Sequence, residues 1–362
     1  MTNNQRTVNY QTKPRGRKTS PLPSLSNAYR SIFLKIKKHN YSLLNPLNGA
    51  CLCLLVLLIS CQPGSQQQTA NEEPMQKIQF NDYPDLKLGF TTQNFLQAMP
   101  VTLESSKQFV DYAAEQGYAW LELRDPDAVL TLEESKEIAA YAREKEVEVS
   151  YAIQKGLLDD DFWSTFEKGV KNAAVFDSPK LVRSLASGAE ISGDTTRQGW
   201  TADELAELVQ RADSAASLAQ ANGLQYVMEN GAEAFFGDGT NYYGIADAFS
   251  QVGEDVGWQL DAANPFSVSR VHASPDSIST FLQEHIDNLF YIHLKSAQQG
   301  AAKETLTANP LAFSEIFQLL SDHQVPYIAI ELQAVADQEQ AFANMEKSID
   351  YLQSEGFINT PN

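Results

Sequence analysis

Tyr226-Val227-Met228-Glu229-Asn230 is a short apolar run that stops at a carboxylate. Three stretches downstream have the same form: Trp258-Gln259-Leu260-Asp261, Phe290-Tyr291-Ile292-His293 and Tyr327-Ile328-Ala329-Ile330-Glu331. Their terminal residues are spaced by 32, 32 and 38 residues. Each interval has room for a helix with its loops, which a crossover between parallel strands requires. A charged group at the end of a buried strand needs a partner, because an unpaired buried charge is costly. Two Glu, one Asp and one His converging on one point would find that partner in a divalent cation.

The pattern extends toward the N-terminus. Apolar runs at 86–90, 119–123, 147–153 and 180–185 read as four earlier strands, each followed by a helical segment. Thr102, Thr131-Leu-Glu-Glu134 and Thr201-Ala-Asp-Glu204 are helix starts of the capping type, and Gly117 is a helix stop. Eight strand-then-helix units in roughly 270 residues predict an α/β fold, a closed (β/α)8 TIM barrel. An open doubly wound sheet is the alternative, but Gly89-Phe-Thr-Thr-Gln-Asn94 lacks the glycine-rich phosphate turn expected after its first strand. In a closed barrel Glu229, Asp261, His293 and Glu331 fall together at the C-terminal strand ends, where such barrels build their active sites. Glu122, Arg124 and Arg183 lie near the ends of the second and fourth strands, and Lys295 lies two residues beyond the His. These are candidate substrate contacts, or ion pairs lining the barrel mouth. His272, in the loop after the sixth strand, is a further candidate.

The 362-residue chain carries a formal charge of −19, unevenly spread. Nine of its 27 Lys and Arg, and none of its 46 Asp and Glu, lie in residues 1–60. The remainder is strongly acidic, which argues against a nucleic-acid partner. Lys35-Ile-Lys-Lys38 precedes an apolar run at 50–59, too short for an ordinary membrane span but of signal-peptide size. The run ends in Leu58-Ile59-Ser60-Cys61, which resembles the bacterial lipoprotein box and implies lipidation at Cys61. The alternative is a plain anchor with an incidental Cys. All three Cys (51, 53 and 61) lie here, so the rest of the chain has no thiol for a disulfide, a nucleophile or a sulfur-bound metal. The expected organisation is a signal peptide over 1–61, a flexible Gln/Ser/Asn-rich tether over 62–82 and the barrel over 83–358. The expected location is outside the cytoplasm, lipid-anchored to a bacterial membrane, outer membrane or periplasm. A homo-oligomer is left open.

Residues 85–358 resemble the sugar phosphate isomerase/epimerase-like barrels of the xylose isomerase-like superfamily. Glu229-Asn230, Asp261-Ala-Ala-Asn264, His293-Leu-Lys295 and Glu331 stand where that family places its metal ligands, and Trp120-Leu-Glu-Leu123 looks like its second-strand pattern. The resemblance implies one divalent metal ion (Mn²⁺, Mg²⁺ or Co²⁺, with Zn²⁺ also suited), bound by Glu229, Asp261, His293 and Glu331. It also implies Glu229 and Glu331 as the acid/base pair. Asn264 stands where several ketose 3-epimerases of the family have His, and 293–300 has no Arg where those enzymes carry one. The related endonuclease branch uses several His, whereas this body has four, at 272, 285, 293 and 323. The expectation is a metal-dependent isomerase or epimerase on an unphosphorylated sugar, keto sugar or related carbonyl compound, working by proton transfer through an enediolate. The alternatives are a lyase, dehydratase or hydrolase on a similar glycoside, and a non-catalytic carbohydrate-binding lipoprotein.

Overall fold

A computed structural model describes residues 76–360 apart from 195, 239, 268–273 and 299–300. Cys61, the lipoprotein box and His272 lie outside the described residues. Eight parallel strands close into a barrel: β1 (Lys87–Thr91), β2 (Trp120–Arg124), β3 (Glu148–Gly156), β4 (Leu181–Leu185), β5 (Gln225–Glu229), β6 (Val256–Asp261), β7 (Leu289–Leu294) and β8 (Tyr327–Ile330). β8 closes the ring on β1, with Tyr327 opposite Lys87 and Ile330 opposite Phe90. The eight-stranded barrel of the sequence reading is therefore the fold.

Helices α1 (Leu103–Gln116), α2 (Leu132–Glu144), α3 (Phe162–Ala173), α4 (Ala202–Ala221), α5 (Ile245–Phe249), α6 (Pro275–His285), α7 (Phe313–Asp322) and α8 (Gln338–Ser354) follow the strands in turn. Thr102, Thr131 and Thr201 cap α1, α2 and α4 with reciprocal capping boxes. Those boxes satisfy amide groups that a helix start would otherwise leave bare. Gly117 closes α1 at φ 78°, in the left-handed region where glycine bears no side-chain penalty. None of the helices among the described residues is long and apolar enough to cross a membrane.

The chain also has elements that periodicity did not signal. Single-turn helices occur at Ala189–Ser192 and Asn264–Ser267, and Ala297–Gln298 pairs with Ala301–Ala302. Gln79–Phe80 pairs antiparallel with Ile358–Asn359, and the Phe80 ring lies 4.9 Å from that of Phe317. The folded body thus begins inside the stretch read as tether, because Phe80 is buried and its strand needs a partner from the far end of the chain.

Side chains alternate along a strand, so residues two apart share a face. Trp120, Leu181, Val227, Tyr291 and Ala329 form one buried apolar cluster. Each stands two residues before a charged one: Glu122, Arg183, Glu229, His293 and Glu331. The barrel interior is therefore an apolar plug with a layer of charge above it, toward the C-terminal strand ends. Trp120 anchors the plug, donating from Nε1 to the carbonyls of Lys87 and Ile328, each at 3.2 Å. Gly89 lets that indole in, since a Cβ on residue 89 would come within 2.4–2.5 Å of Trp120 atoms. Gly89→Ala should lower the unfolding free energy by about 1–3 kcal/mol, the usual cost of overpacking, as read by chemical denaturation.

Candidate metal centre and its ion network

Period-two alternation brings the four strand-end residues to one place. Glu229 and Asp261 end β5 and β6, His293 lies in β7 opposite Asp261, and Glu331 follows β8 by one residue. The Glu331 amide still donates to the Leu294 carbonyl at 3.0 Å, so it stays in the ladder. One potential ligand atom from each residue lies within 4.8 Å of the others, and all four residues are buried.

Carboxylates buried at this density are tolerated only with counter-charges. Three cations provide them. Lys295 Nζ lies 3.0 Å from Asp261 Oδ2 and 2.8 Å from Glu331 Oε1. Arg124 bridges Glu229 Oε2 at 3.2 Å and Glu331 Oε2 at 3.4 Å. Arg183 joins Glu229 to Glu122, donating from Nη2 to Glu122 Oε1 at 3.0 Å. Glu122 and Arg183, read from sequence as candidates at the mouth, are 0% and 1% exposed and sit within this network.

Glu122 makes a second contact of chemical consequence. Its Oε2 lies 3.2 Å from His293 Nε2, and its oxygens also accept from Thr91 and Tyr291. A carboxylate against one ring nitrogen fixes the proton there and leaves the other nitrogen as a metal ligand. That other nitrogen, Nδ1, lies 2.8 Å from Glu331 Oε2 and 3.3 Å from Glu229 Oε1. His293 Nδ1 and Glu331 Oε2 are both buried and meet as an ion pair, with Arg124 also against Glu331 Oε2, outside strict hydrogen-bond geometry. A cation between them would satisfy both atoms. Three carboxylates and one imidazole suit Mn²⁺, Mg²⁺ or Co²⁺, and also Zn²⁺, so the residues present fit a divalent ion.

The titration behaviour follows from these contacts. Burial opposes the charge on Glu122, but Arg183, His293 and Arg124 outweigh it and hold the carboxyl well below its ordinary range. Burial likewise opposes charge on Glu331, yet Lys295, Arg124 and His293 hold it well down. Glu229 is lowered in the same way, with Arg183 and Arg124 overcoming burial. Asp261 is raised, because burial, with Glu331 and Glu229 nearby, outweighs Lys295. Burial disfavours a charged His293, but Glu122, Glu331 and Glu229 overcome it and raise the imidazole well above its usual value.

Loop backbone locks the cluster in place. Asp261 Oδ1 accepts from the amides of Ala263 and Asn264, each at 2.9 Å. The Asn230 side chain accepts from the Asp261 amide at 2.7 Å and donates to its carbonyl at 3.2 Å. Asn264 donates to the Asn230 carbonyl at 2.9 Å and accepts from Lys295 at 3.3 Å. Asn264 and Lys295, both candidate substrate contacts from the sequence, therefore meet at the cluster.

Two polar residues near these elements escaped the sequence reading. Gln259 lies on β6 two residues before Asp261, buried, with neither amide atom hydrogen-bonded among the described residues. Alternation from Asp261 could have found it. Glu233, four residues past Glu229, is 3% exposed and accepts from the Gly231 amide at 2.9 Å, while its Oε2 has no partner among the described residues. Burial, reinforced by Glu190 and only partly offset by Ser187 and backbone amides, pushes its carboxyl up to about 7.

Three outcomes are expected. Glu122→Gln should weaken Mn²⁺ binding about 10- to 100-fold by loosening the His293 ring, and calorimetry would measure this. The same titration of the unaltered protein in two buffers of different ionisation enthalpy should show proton release, because His293 must give up its Nδ1 proton. The third outcome concerns Glu233. Its folded-state value lies above the unfolded one, so its stabilising contribution is complete below the unfolded value and is lost as pH rises through about 7. Glu233→Gln should remove that decline from denaturation measured between pH 4 and 8.

The fold has solved counterparts. D-psicose 3-epimerase with D-tagatose from Clostridium cellulolyticum H10 matches with a TM-score of 0.56 and 15% identity, over 74% of this chain and 99% of that one. A sugar phosphate isomerase/epimerase from Parabacteroides distasonis ATCC 8503 matches at 0.53 and 14%, over 74% and 94%. A xylose isomerase-like TIM barrel protein from Mycobacterium smegmatis, in complex with magnesium, matches at 0.53 and 15%, over 74% and 97%. At these identities the likeness is one of fold. A comparison of the sequence with curated proteins gives no match. The model of the xylose isomerase-like TIM barrel family matches residues 110–355, and the chain belongs to that family.

Proposed function

We propose that the protein is a metal-dependent isomerase or epimerase that moves a proton on a carbon beside a carbonyl of an unphosphorylated sugar, keto sugar or related compound. The observation that carries this reading is the convergence of Glu229, Asp261, His293 and Glu331, with ligand atoms within 4.8 Å of one another. Sugar epimerases and isomerases among the solved structures of the same fold support it.

A divalent ion bound by these four residues would act as a Lewis acid, orienting the carbonyl with its neighbouring hydroxyl and easing the charge of the enediolate. The chain's own residues do the rest. Glu229 and Glu331 come from opposite sides of the ring, β5 and the end of β8. In epimerisation one, ionised, takes the proton from the substrate carbon while the other, entering protonated, gives its own to the opposite face; in isomerisation a single ionised carboxylate takes the proton and passes it to the neighbouring carbon. Asp261 and His293 serve as ligands only. Arg183 beside Glu229, Lys295 beside Glu331 and Arg124 against both favour the ionised form and so support whichever Glu acts as the base. We further propose that the chain is lipidated at Cys61 and held on the outer face of a bacterial membrane.

The test begins with the metal content of the full chain, purified in detergent, by mass spectrometry. One bound divalent ion is expected, lost in the His293→Ala/Asp261→Ala double variant. Keto sugars incubated with the metal-loaded protein in deuterated water should take up deuterium without change of composition. Glu331→Gln should retain metal and lower that exchange by about 10²- to 10⁴-fold, the usual weight of a general base. A product of changed mass would instead identify a lyase or hydrolase. No metal uptake, or sugar binding without turnover in either form, would overturn the reading in favour of a binding protein.

A further inference from the structure

We infer that Gln259 is a positioning residue of the candidate metal centre: its side-chain amide is kept in the barrel interior to donate to Glu229 and hold that carboxylate for a divalent ion. This rests on the metal-dependent reading above. Gln259 lies on β6 one alternation below Asp261, so both side chains face the interior. Its chain neighbour Trp258 points the other way, toward the helices, with its ring 4.7 Å from that of Phe249 and 5.7 Å from that of Phe281. Strand register then sets what flanks the amide. Glu229 of β5 stands opposite on one side and Tyr291 of β7 on the other.

Gln259 is 0% exposed, and neither its Oε1 nor its Nε2 has a hydrogen-bond partner among the described residues. A buried amide that makes no hydrogen bond is costly. The plug at the height of Tyr291 is apolar, and a Met in this position would fill the space without that cost. Residues that break a local rule in this way belong to sites under a functional constraint.

Of the two flanking residues, Tyr291 is already committed. Its hydroxyl donates to Glu122, and its ring stands 5.5 Å from that of Trp120 and 5.6 Å from that of His293. Glu229 is placed differently. Arg183 and Arg124 hold its Oε2, whereas its Oε1 meets His293 Nδ1 at 3.3 Å. With that nitrogen given to a divalent ion, the second contact is lost. Gln259 is the amide in register with the released oxygen, and it matches Glu229 in side-chain length. A carboxylate only accepts, so the amide presents Nε2 to it. With Arg183 on one oxygen and Gln259 on the other, the Glu229 carboxylate keeps one orientation, the service that outer hydrogen bonds perform for metal-ligating carboxylates.

The test compares the unaltered protein with Gln259→Met, each as the full chain in detergent. Calorimetric titration with Mn²⁺ should show binding weakened about tenfold or more in the variant. After treatment with EDTA, the variant should unfold at the same or a higher denaturant concentration, because the amide it lost was making no bond. The two readouts thus move in opposite directions, which a merely structural Gln259 would not produce. Unchanged Mn²⁺ affinity, or a variant less stable after EDTA, would overturn this inference while leaving the metal-dependent reading intact. Failure of the unaltered protein to take up Mn²⁺ would overturn both. Where Gln259→Met does not fold, a crystal structure of the unaltered protein with Mn²⁺ decides the matter. Gln259 Nε2 on a Glu229 oxygen is expected, and Nε2 on Tyr291 or on a buried water would overturn the inference.

Discussion

Four carboxylates buried in one layer of a barrel cannot stand without cations. The inward-facing Glu122, Glu229, Asp261 and Glu331 sit where water is excluded, and an isolated buried carboxylate costs several kcal/mol even after relaxation. Arg183 ties Glu122 to Glu229, Arg124 ties Glu229 to Glu331, and Lys295 ties Glu331 to Asp261. The chain of pairs runs carboxylate to cation around the interior and links β2, β4, β5, β6 and the ends of β7 and β8 through side chains alone. Such a network is weak evidence of stability, since an apolar core of the same volume would often be as stable. Its presence is better understood as a requirement of the site above the apolar plug.

The plug and the charged layer are one construction seen at two heights. Trp120 and Tyr291 pack edge to face at 5.5 Å and fill the barrel below. Tyr291 then donates its hydroxyl upward to Glu122, and Glu122 in turn faces His293 Nε2. The indole that fills the interior thus stands at the base of a path leading to the tautomer of the candidate metal ligand. Around the mouth, Asn230 and Asn264 fasten the ends of β5 and β6 to each other through backbone hydrogen bonds. Rigid strand ends and short polar ties give the four ligand-type residues the fixed geometry that a metal centre needs.

Much of this was legible from residue order. Runs ending at Glu229, Asp261, His293 and Glu331 with near-regular spacing specify parallel strands joined by helices, and three capping boxes mark helix starts without any tertiary information. Convergence of those four ends follows from closure of the ring. The burial of Glu122 and Arg183 was not legible. Both lie on strands where a charged residue can face the mouth or the interior, and the choice depends on how far each strand reaches up the barrel. Register between β2 and β3 and between β4 and β5 sets that height, pairing Glu122 with Ser150 and Arg183 with Val227. The pairing of Gln79–Phe80 with Ile358–Asn359 was equally hidden, because two residues carry no periodicity and their partner is the other end of the chain.

The sequence by itself determined the fold, the identity of the four ligand-type residues and the strong acidity of the body, since alternation and spacing are local properties. Only the tertiary structure decided which charges meet. Lys295 touches Asp261 and Glu331, 34 and 36 residues away, and Glu122 reaches His293 across 171 residues. Ion pairing and tautomer selection act over a few ångströms, and distances of that order between remote residues exist only once the barrel has closed.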